Sequence, residues 1–405
     1  MQNNILIIGA GGVSHVAAHK CAQNNDVFGN ICIASRTQSK CDLIIESIKR
    51  KQSLKIKEKN IYSKQINAFD IDATIRLIKD TNSSIVINVC QSFANMSILE
   101  ACIRTGASYI DTAIHEDPDK ICESPIWYEN HEWKRRDKCT ENKITAILSV
   151  GFDPGIVNAY CSLAQKKYFD TIDTIEIMDV NAGNHGQYFA TNFDPEINFR
   201  EFTGNVWVWE NNKWESHKIH SVKQIYKFPE VGEQTIYLSG HDEIHSLVKN
   251  IKAKNIRFWM GFSDHYINVF SVLKNIGLLS EKSIKTAEGV DIVPLKVVKA
   301  CLPDPKSLAP NYEGKTCIGC LIKGKKNNKS TEIFIYNICD HKNCYNEVES
   351  QAISYTAGVP AAAAAILIAN ETWKTQTMTN VEELDPEPFI NLLDRIGLRT
   401  KIDIH

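Results

Sequence analysis

The sequence predicts an α/β protein in which a doubly wound, Rossmann-type parallel sheet comes first and an inserted α+β, largely antiparallel domain follows. Up to residue 150, short apolar segments alternate with amphipathic ones, as in parallel strands connected by helices. After Gly151, apolar segments instead flank polar tips, which indicates hairpins. A glycine-rich turn directly after the first apolar segment is the third observation, because such turns open dinucleotide-binding folds.

The strands and helices of the first part alternate in a regular order. Strands are predicted over Asn4–Ile8, Ile31–Ala34, Lys64–Ala68, Ile85–Asn88, Ser108–Ile110 and Ile144–Leu148. Helices are predicted over Gly12–Asn24, Gln38–Lys51, Ile71–Asp80, Met96–Thr105 and Trp127–Asn142. A sheet of this kind presents the carboxyl ends of its strands to ligand along one edge.

Two hairpins and several helices are predicted in the rest of the chain. The hairpins are Val206–Trp209 with Trp214–Ile219 around Glu210–Lys213, and Lys315–Ile322 with Glu332–Ile338 around Lys323–Thr331. The helices are Asp242–Asn250, His265–Ile276, 361–370 with Pro360 in its first turn and Thr356 or Gly358 as its cap, and Phe389–Ile396. We therefore expect a dinucleotide-binding domain (1–150), a substrate and dimerisation domain (151–351) and a segment (352–405) that returns to the first domain.

The glycine-rich turn carries the strongest functional signal. It reads Gly9-Ala10-Gly11-Gly12-Val13-Ser14, which follows the G-x-G-x-x-G pattern with a serine in the third position. The first glycine permits a tight turn, the second lets the backbone approach a pyrophosphate, and the third position needs only a small residue. The helix N-terminus behind the turn supplies free N–H groups for phosphate. A glycine turn without a ligand is the alternative interpretation.

The end of the second strand indicates which dinucleotide binds. An NAD enzyme usually places an acidic residue there for the ribose 2′-hydroxyl, but this chain has Ser35-Arg36-Thr37, with Lys40 one helical turn further on. An arginine suits a 2′-phosphate, so NADP is the predicted cofactor. Asp70 is predicted in range of the adenine or its ribose, and Asn88-Val89-Cys90 should reach the ligand edge from the fourth strand.

Ionisable side chains follow the fifth and sixth strands. The segment Asp111–Asp117 contains His115 and Glu116, and Asp153 lies in Gly151–Gly155. Each carboxylate alone could be a loop residue that makes a local cap or turn. Because the strands end at one edge, we expect these side chains to line a site together.

Composition and charge exclude several classes of protein. The formal net charge is -2 and there is no large basic block, which argues against nucleic acid or an anionic membrane as the main partner. No apolar run reaches the length of roughly 18 residues that a membrane span needs. The first residues lack the basic segment and cleavage site of a signal peptide and are predicted to form the first strand.

Cysteines are frequent, with 13 in the chain, and they suggest reduced thiols in a cytoplasmic protein. Cys317-x-x-Cys320 and Cys339-x-His341-x-x-Cys344 resemble zinc ligands in spacing. Residues three apart on a strand point to opposite faces, so Cys317 and Cys320 could share a metal only across a bulge. We therefore expect no metal.

Four segments resemble the saccharopine dehydrogenase-like family: Gly9–Ser14, Ala34–Thr37, Gly151–Gly155 and Ile353–Pro360. Within it, the chain is most similar to the members that act in bacterial polyamine synthesis. The segments that carry this closer similarity are Gly9–His15, Val150–Gly155, Phe228–Gly232, Arg257–Met260, Tyr336–His341 and Gln351–Pro360.

The resemblance implies a reaction and its partners. L-Aspartate 4-semialdehyde would condense with 1,3-diaminopropane or putrescine, and NADPH would reduce the imine to carboxynorspermidine or carboxyspermidine. A cytoplasmic homodimer is expected. A dicationic substrate needs carboxylates, and the candidates are Glu116, Asp117, Asp153, Glu201, Asp242, Glu243 and Asp264. Trp259 and Phe262 could hold an ammonium by cation–π contact, or they could simply pack in the core.

Loss of water from the carbinolamine requires a proton donor, for which histidine is the usual choice near neutral pH. The histidine candidates are His115, His241, His245 and His341. His115 and Asp153 are the first candidates for this role, and the complete predicted catalytic set is His115, Glu116, Asp153, Glu243 and Trp259.

Two other functions remain open from the sequence. One is a different reductase of the same fold, such as a saccharopine reductase or a homospermidine synthase. The other is a non-catalytic protein that senses a dinucleotide. Ionisable residues at several strand ends speak against the second alternative.

Overall fold

A computed structural model of the chain describes residues 3–51, 60–118, 123–202 and 204–404. The strands are β1 (Asn3–Ile8), β2 (Phe28–Ser35), β3 (Ile61–Gln65), β4 (Ser83–Asn88), β5 (Ser108–Ile110), β6 (Ala146–Leu148), β7 (Thr171–Asn181), β8 (Asn205–Glu210), β9 (Lys213–Lys218), β10 (Lys223–Phe228), β11 (Gly232–Ser239), β12 (Ala253–Gly261), β13 (Ile284–Lys285), β14 (Asp291–Ile292), β15 (Lys315–Lys326), β16 (Lys329–Asp340), β17 (Met378–Asn380) and β18 (Thr400–Ile404). The helices are α1 (Gly12–Gln23), α2 (Gln38–Arg50), α3 (Ile71–Asp80), α4 (Asn95–Thr105), α5 (Trp127–Asn130), α6 (Arg136–Glu141), α7 (Ile156–Lys167), α8 (Pro195–Glu201), α9 (Glu243–Asn250), α10 (Asp264–Asn275), α11 (Pro294–Cys301), α12 (His341–Val348), α13 (Ala352–Ala369) and α14 (Pro386–Ile396).

The first sheet is parallel and has the strand order β17-β6-β5-β4-β1-β2-β3. Its central strands are apolar throughout, and their alternate side chains enter two separate hydrophobic clusters, one on each face. Fully buried parallel strands have this composition because helices cover both faces. The predicted α/β fold with a doubly wound sheet is confirmed.

The second sheet is mixed and has the main strand order β10-β11-β12-β7-β15-β16-β18, with the β8–β9 hairpin attached to β12. The pair β12–β7 is parallel, and the other pairs are antiparallel. Cys317 and Cys320 on β15 enter different hydrophobic clusters, as the alternation of side chains along a strand requires.

Several predicted boundaries were wrong. The third strand is Ile61–Gln65, because its register on β2 pairs Ile61 with Ile31. Both hairpins have two-residue turns, since paired asparagines adopt positive φ angles and extend the strands beyond the predicted tips. The helix predicted over Trp127–Asn142 is interrupted at His131, whose φ and ψ of -129° and -83° are not helical.

The helix near the C-terminus also differs from the prediction. It spans Ala352–Ala369, Gln351 caps it by accepting a hydrogen bond from Ile353 N–H, and Pro360 lies inside it rather than in its first turn. The proline removes one backbone donor from the helix, and the helix packs closely on α1, where Gly358 lies against Val13 and Val16. α13 is long and apolar enough to cross a membrane, but 83% of it is buried within the described chain.

The C-terminal segment contacts both halves of the molecule. α13 packs on α1, β17 extends the first sheet beside β6, and β18 pairs with β16 in the second sheet. The division of the chain at residues 150 and 351 stays a prediction.

Candidate active site

A cleft of about 1150 Å³ lies where the carboxyl ends of the first sheet's strands face the second part of the chain. The glycine turn and the ends of β2 and β4 line one end of this cleft. Segments 192–201, 240–245 and 296–306 line the rest, with the first turns of α13. A ligand edge of this kind is the usual binding place in open α/β sheets.

The glycine turn is held tightly between two strand ends. Gly9 has a φ of 128°, and a Cβ there would come 2.5 Å from the carbonyl oxygen of Val89. Gly9 N–H donates to Ala34 O at 2.8 Å, and the buried Ser14 hydroxyl donates to Gly9 O at 2.8 Å. Ser14 thus fits the small third position and also fastens the turn.

The next part of the turn fits a dinucleotide diphosphate. Open space surrounds the position of a Cβ on Gly11, which is the N-cap of α1, and no side chain caps that helix. Ala10, Gly12 and Val13 line the cleft beside it. The free N-terminus of α1 therefore faces a space that a diphosphate can fill.

The end of β2 places two cations at the cleft. Ser35, Arg36 and Lys40 line it, whereas Thr37 is the N-cap of α2 and its carbonyl accepts a hydrogen bond from Ser35 Oγ at 2.9 Å. Within the described ranges, neither the Arg36 guanidinium nor Lys40 Nζ forms an ion pair. Both cations are available to an anion.

The other predicted cofactor residues divide between the cleft and the scaffold. Val89 and Cys90 line the cleft. Asn88 is buried, and its carboxamide oxygen accepts from Cys90 N–H at 3.1 Å, so it shapes the turn from behind. Asp70 caps α3 by accepting from Ala73 N–H at 2.9 Å and does not line the cleft. Sequence reasoning could not separate a carboxylate that caps a helix from one that meets a ribose.

His115 is oriented by the backbone. Its Nδ1 is 3.0 Å from Ser92 O, and because a carbonyl only accepts, Nδ1 carries a proton. Its Nε2 lies 3.4 Å from Asp117 Oδ1, so the ring is held between the backbone and a carboxylate. Burial is the main cause that lowers the pKa of His115.

His115, Asp117 and His131 offer ligand atoms within 4.8 Å of one another, so elemental analysis still has to test the predicted absence of a metal.

Glu116 lies beside His115 but has a cationic partner. Its carboxylate accepts from Arg200 Nε at 3.0 Å and from Ser92 Oγ at 3.2 Å. Burial raises the pKa of Glu116, and the Arg200 guanidinium opposes that shift. Arg200 also binds Glu281 at 2.7 Å. Glu116 therefore belongs to a network that already contains its own cation.

Asp153 belongs to a group of carboxyl groups at the substrate end of the cleft. Its buried Oδ2 has no hydrogen-bond partner within the described chain, and the Asp179 carboxyl group is close enough to interact with it electrostatically. Burial raises the pKa of Asp153 well above its ordinary value and that of Asp179 to about 6. Neighbouring buried carboxyl groups oppose each other's ionisation, because their negative charges repel.

His241 lies among these acids. Its Nδ1 is 2.6 Å from Glu243 Oε2, and Glu243 is fully buried with Oε1 unpartnered in the described residues. Burial lowers the pKa of His241, but Glu243, Asp153 and Glu201 outweigh burial and raise it well above its ordinary value. Burial likewise raises the pKa of Glu201 to about 8 and that of Asp242 to about 7.

Trp259, by contrast, is not brought to the cleft. Its indole N–H donates to Glu176 at 2.7 Å in the core of the second sheet, while the next residue on the strand, Met260, lines the cleft. Neighbouring residues on a strand face opposite sides, which explains the difference. Trp207 and Trp127 are aromatic residues that do line the cleft.

Comparisons with known proteins agree with this arrangement. The family model for the saccharopine dehydrogenase NADP binding domain matches residues 5–147, and the model for the saccharopine dehydrogenase C-terminal domain matches residues 151–398. The chain belongs to the saccharopine dehydrogenase family. The first match confirms NADP as the predicted cofactor.

Two curated relatives are named carboxynorspermidine synthase. The protein from Vibrio alginolyticus is 48% identical over 97% of this chain and 95% of its own length, and that from Vibrio cholerae is 46% identical over 98% and 95%. Carboxyaminopropylagmatine dehydrogenase from Synechocystis is 43% identical over 97% and 96%. Saccharopine dehydrogenase from Saccharomyces cerevisiae has a similar fold, with a TM-score of 0.72 over 100% of both chains at 13% identity.

This member of the saccharopine dehydrogenase family has cleft residues that sequence reasoning missed. They include Asp179, Trp207 and Lys306. Asp179 gave a weak signal, because it is a carboxylate within the otherwise apolar Ile177–Val180 of β7. Trp207 and Lys306 gave none, since only the folded chain brings them to the ends of the first sheet.

Proposed function

We propose that the chain catalyses the NADPH-dependent condensation of L-aspartate 4-semialdehyde with a diamine, 1,3-diaminopropane or putrescine. The product is carboxynorspermidine or carboxyspermidine, in polyamine synthesis. Relatives named carboxynorspermidine synthase at 46% and 48% identity support this proposal. The observation that carries it is that Asp153 and Glu201 line the cleft with carboxyl oxygens that have no hydrogen-bond partner among the described residues.

These carboxyl groups fit a dication. Burial makes the charged form of an acid unfavourable, and the raised pKa values show that the described side chains supply too little positive charge. A bound diammonium group supplies that charge and hydrogen-bond donors in one molecule. The same environment would repel an anionic amine partner, so it favours diamines over amino acids.

NADPH, when bound, supplies the hydride that reduces the imine. The backbone of Gly9–Val13 and the α1 N-terminus would hold its diphosphate, and Arg36 with Lys40 would hold its 2′-phosphate. The chain's own residues then have to orient the imine and exclude water.

The acids and histidines of the cleft are the groups that can transfer protons during formation of the imine. The amine nitrogen adds to the aldehyde carbon and loses a proton, and the resulting hydroxyl leaves as water after it gains one. Asp153, which lines the cleft and whose pKa is raised, can accept the first proton and donate the second. His115 lines the same cleft, with its Nε2 3.4 Å from Asp117 Oδ1, and is the second candidate.

One of the comparisons favours agmatine as a further amine substrate. The Synechocystis relative is named for carboxyaminopropylagmatine, so agmatine belongs in the substrate test. We would incubate the enzyme with NADPH, aspartate semialdehyde and each of 1,3-diaminopropane, putrescine and agmatine, and identify products by mass spectrometry. A carboxyalkylated amine is expected. Turnover only with lysine and 2-oxoglutarate, or with no pair, would refute the proposal.

We also propose a homodimer in the cytoplasm, as the family resemblance implies. The cysteines that the structure describes are free thiols, which agrees with a reducing compartment. Light scattering of the purified protein tests the dimer, because a monomer at micromolar concentration would exclude it.

A further inference from the structure

Three cations meet at the cofactor end of the cleft. Arg36 and Lys40 come from the first part of the chain, at the start of α2. Lys306 comes from the other side, in a 3₁₀ turn over Pro305–Asn311, and also lines the cleft. The family resemblance and the motifs around β2 gave no reason to include Lys306.

Lys306 is half-buried and lacks a partner for its charge. Its backbone N–H donates to Asp304 Oδ1 at 3.0 Å, but within the described part of the chain its Nζ makes no hydrogen bond or ion pair. Burial, Lys40 and Arg50 lower the pKa of Lys306, while Asp304 and Glu349 raise it. Lys40 is therefore close enough to repel it.

Two acids lie near Lys306, Asp304 and Glu349, and Glu349 is already engaged. Glu349 accepts from Ser47 Oγ at 2.6 Å and from Arg50 at 2.7 Å. Within the described residues, Lys306 Nζ therefore forms no ion pair with either acid. Arg36 and Lys40 are exposed and Lys306 is half-buried, so an anion that binds between the three cations would reduce their mutual repulsion.

We propose that Lys306 binds the 2′-phosphate of NADPH together with Arg36 and Lys40, so that the cofactor joins the two sides of the cleft. The inference rests on the proposed NADPH-dependent function. A 2′-phosphate is the anion expected next to the end of β2 in this fold. NADH would leave the repulsion between Lys40 and Lys306 in place, so Lys306 contributes to the choice of cofactor.

The test compares two probes on the full-length protein. Adenosine 2′,5′-bisphosphate carries the 2′-phosphate, and ADP lacks it. By calorimetry, Lys306→Met should weaken the bisphosphate about 10-fold, the lower range for a charge-assisted contact at a partly exposed site, and ADP less than 2-fold. Lys306→Arg should restore most of the affinity.

Lys342→Met is the matched control, because Lys342 is an exposed lysine on α12, which packs against the turn that holds Lys306. It should leave both dissociation constants unchanged. Thermal unfolding verifies that each variant is folded, and Lys306→Gln replaces the methionine variant if that one is not.

An unchanged affinity for the bisphosphate in Lys306→Met, or an equal loss for both probes, would overturn the inference. If the variant gives either of these results and the wild type still forms the polyamine product, only the role of Lys306 is refuted, and the proposed function stands. If the wild type does not distinguish the bisphosphate from ADP, the inference fails together with the 2′-phosphate site.

Discussion

The two ends of the cleft recognise opposite charges by different means. At the cofactor end, the backbone of Gly9–Val13 and a helix N-terminus lie near cations that form no ion pair among the described residues. At the substrate end, carboxyl groups such as Asp153 and Glu201 meet in a site where burial raises their pKa values. Because the ends differ in sign, an anionic dinucleotide and a cationic amine can each bind in only one orientation. The predictions that follow test this contrast.

Removing everything from Tyr355 onward should have the largest effect. The deletion takes most of α13, the strand β17 from the first sheet and β18 from the second, so it exposes the packing surface of α1 and two strand edges. We expect insoluble protein, judged by the soluble fraction after expression. Truncation after Arg399, which removes only β18, is the milder control. If the protein without residues 355–405 were soluble and active, neither end of the cleft would need this segment.

Asp153→Asn tests the substrate end alone. The change keeps the shape and removes the acid, so kcat/KM for the diamine should fall by at least ~10²-fold, the low end of general acid–base effects. The dissociation constant of NADPH should stay close to that of the wild type. Stopped assays with varied diamine measure the first value, and fluorescence titration the second.

Asp264→Asn is the control for Asp153→Asn, because Asp264 is exposed at the start of α10 and does not line the cleft. It should behave as the wild type. Near-normal turnover of Asp153→Asn would remove Asp153 from the mechanism and leave His115 as the next candidate.

Arg36→Asp tests the cofactor end. The guanidinium has no partner among the described residues, so we expect it to bind the 2′-phosphate. Its replacement should weaken the binding of NADPH by about 10- to 100-fold. NADH should be affected far less. Titration of both cofactors measures the difference, with the exposed Arg104→Asp as a control on the far helix α4. An equal loss for both would mean that Arg36 does not distinguish them.

The cofactor end could be predicted from the sequence because its parts are local. Gly9–Ser14 and Ser35–Lys40 each act within one turn between a strand and a helix, so spacing alone reveals them. Lys306 is the exception, since it arrives from a distant 3₁₀ turn.

The substrate end was only partly predictable. Sequence reasoning found Asp153, because glycines and a proline mark its turn, but gave no sign that Asp179 would be its partner. It also named Trp259 and did not consider Trp207, since strand alternation alone does not say which face meets the cleft. The pairing of β7 with β12 and β15, which decides this, depends on contacts between residues far apart in sequence.

The smallest expected effect is a change in stability with pH. It arises from two acids: Glu201, which lines the substrate end of the cleft, and Glu132, which does not line the cleft. Burial raises the pKa of Glu132 and of Glu201 to about 8, far above the value of roughly 4.3 in an unfolded chain. Between these two pKa values the folded protein holds a proton that the unfolded chain has released. The free energy of unfolding therefore falls as the pH rises, until the pH passes the folded pKa. Histidines such as His15 and His245, whose pKa values burial lowers to about 4 and about 3, act in the opposite direction, but only below about pH 6.5.

The free energy of unfolding should therefore fall between pH 6.5 and 8, by on the order of 1 kcal/mol per pH unit for each titrating acid. Urea unfolding at several pH values measures it. Glu132→Gln should flatten the slope, and Glu233→Gln, at an exposed position on β11, should not. Saturating diamine should also flatten it, because bound cations lower the pKa of Glu201, whereas adenosine 2′,5′-bisphosphate at the opposite end should leave the slope unchanged. A stability that is constant or rises over this range would mean that the acids are already ionised in the folded protein, and the contrast between the two ends would lose its electrostatic basis.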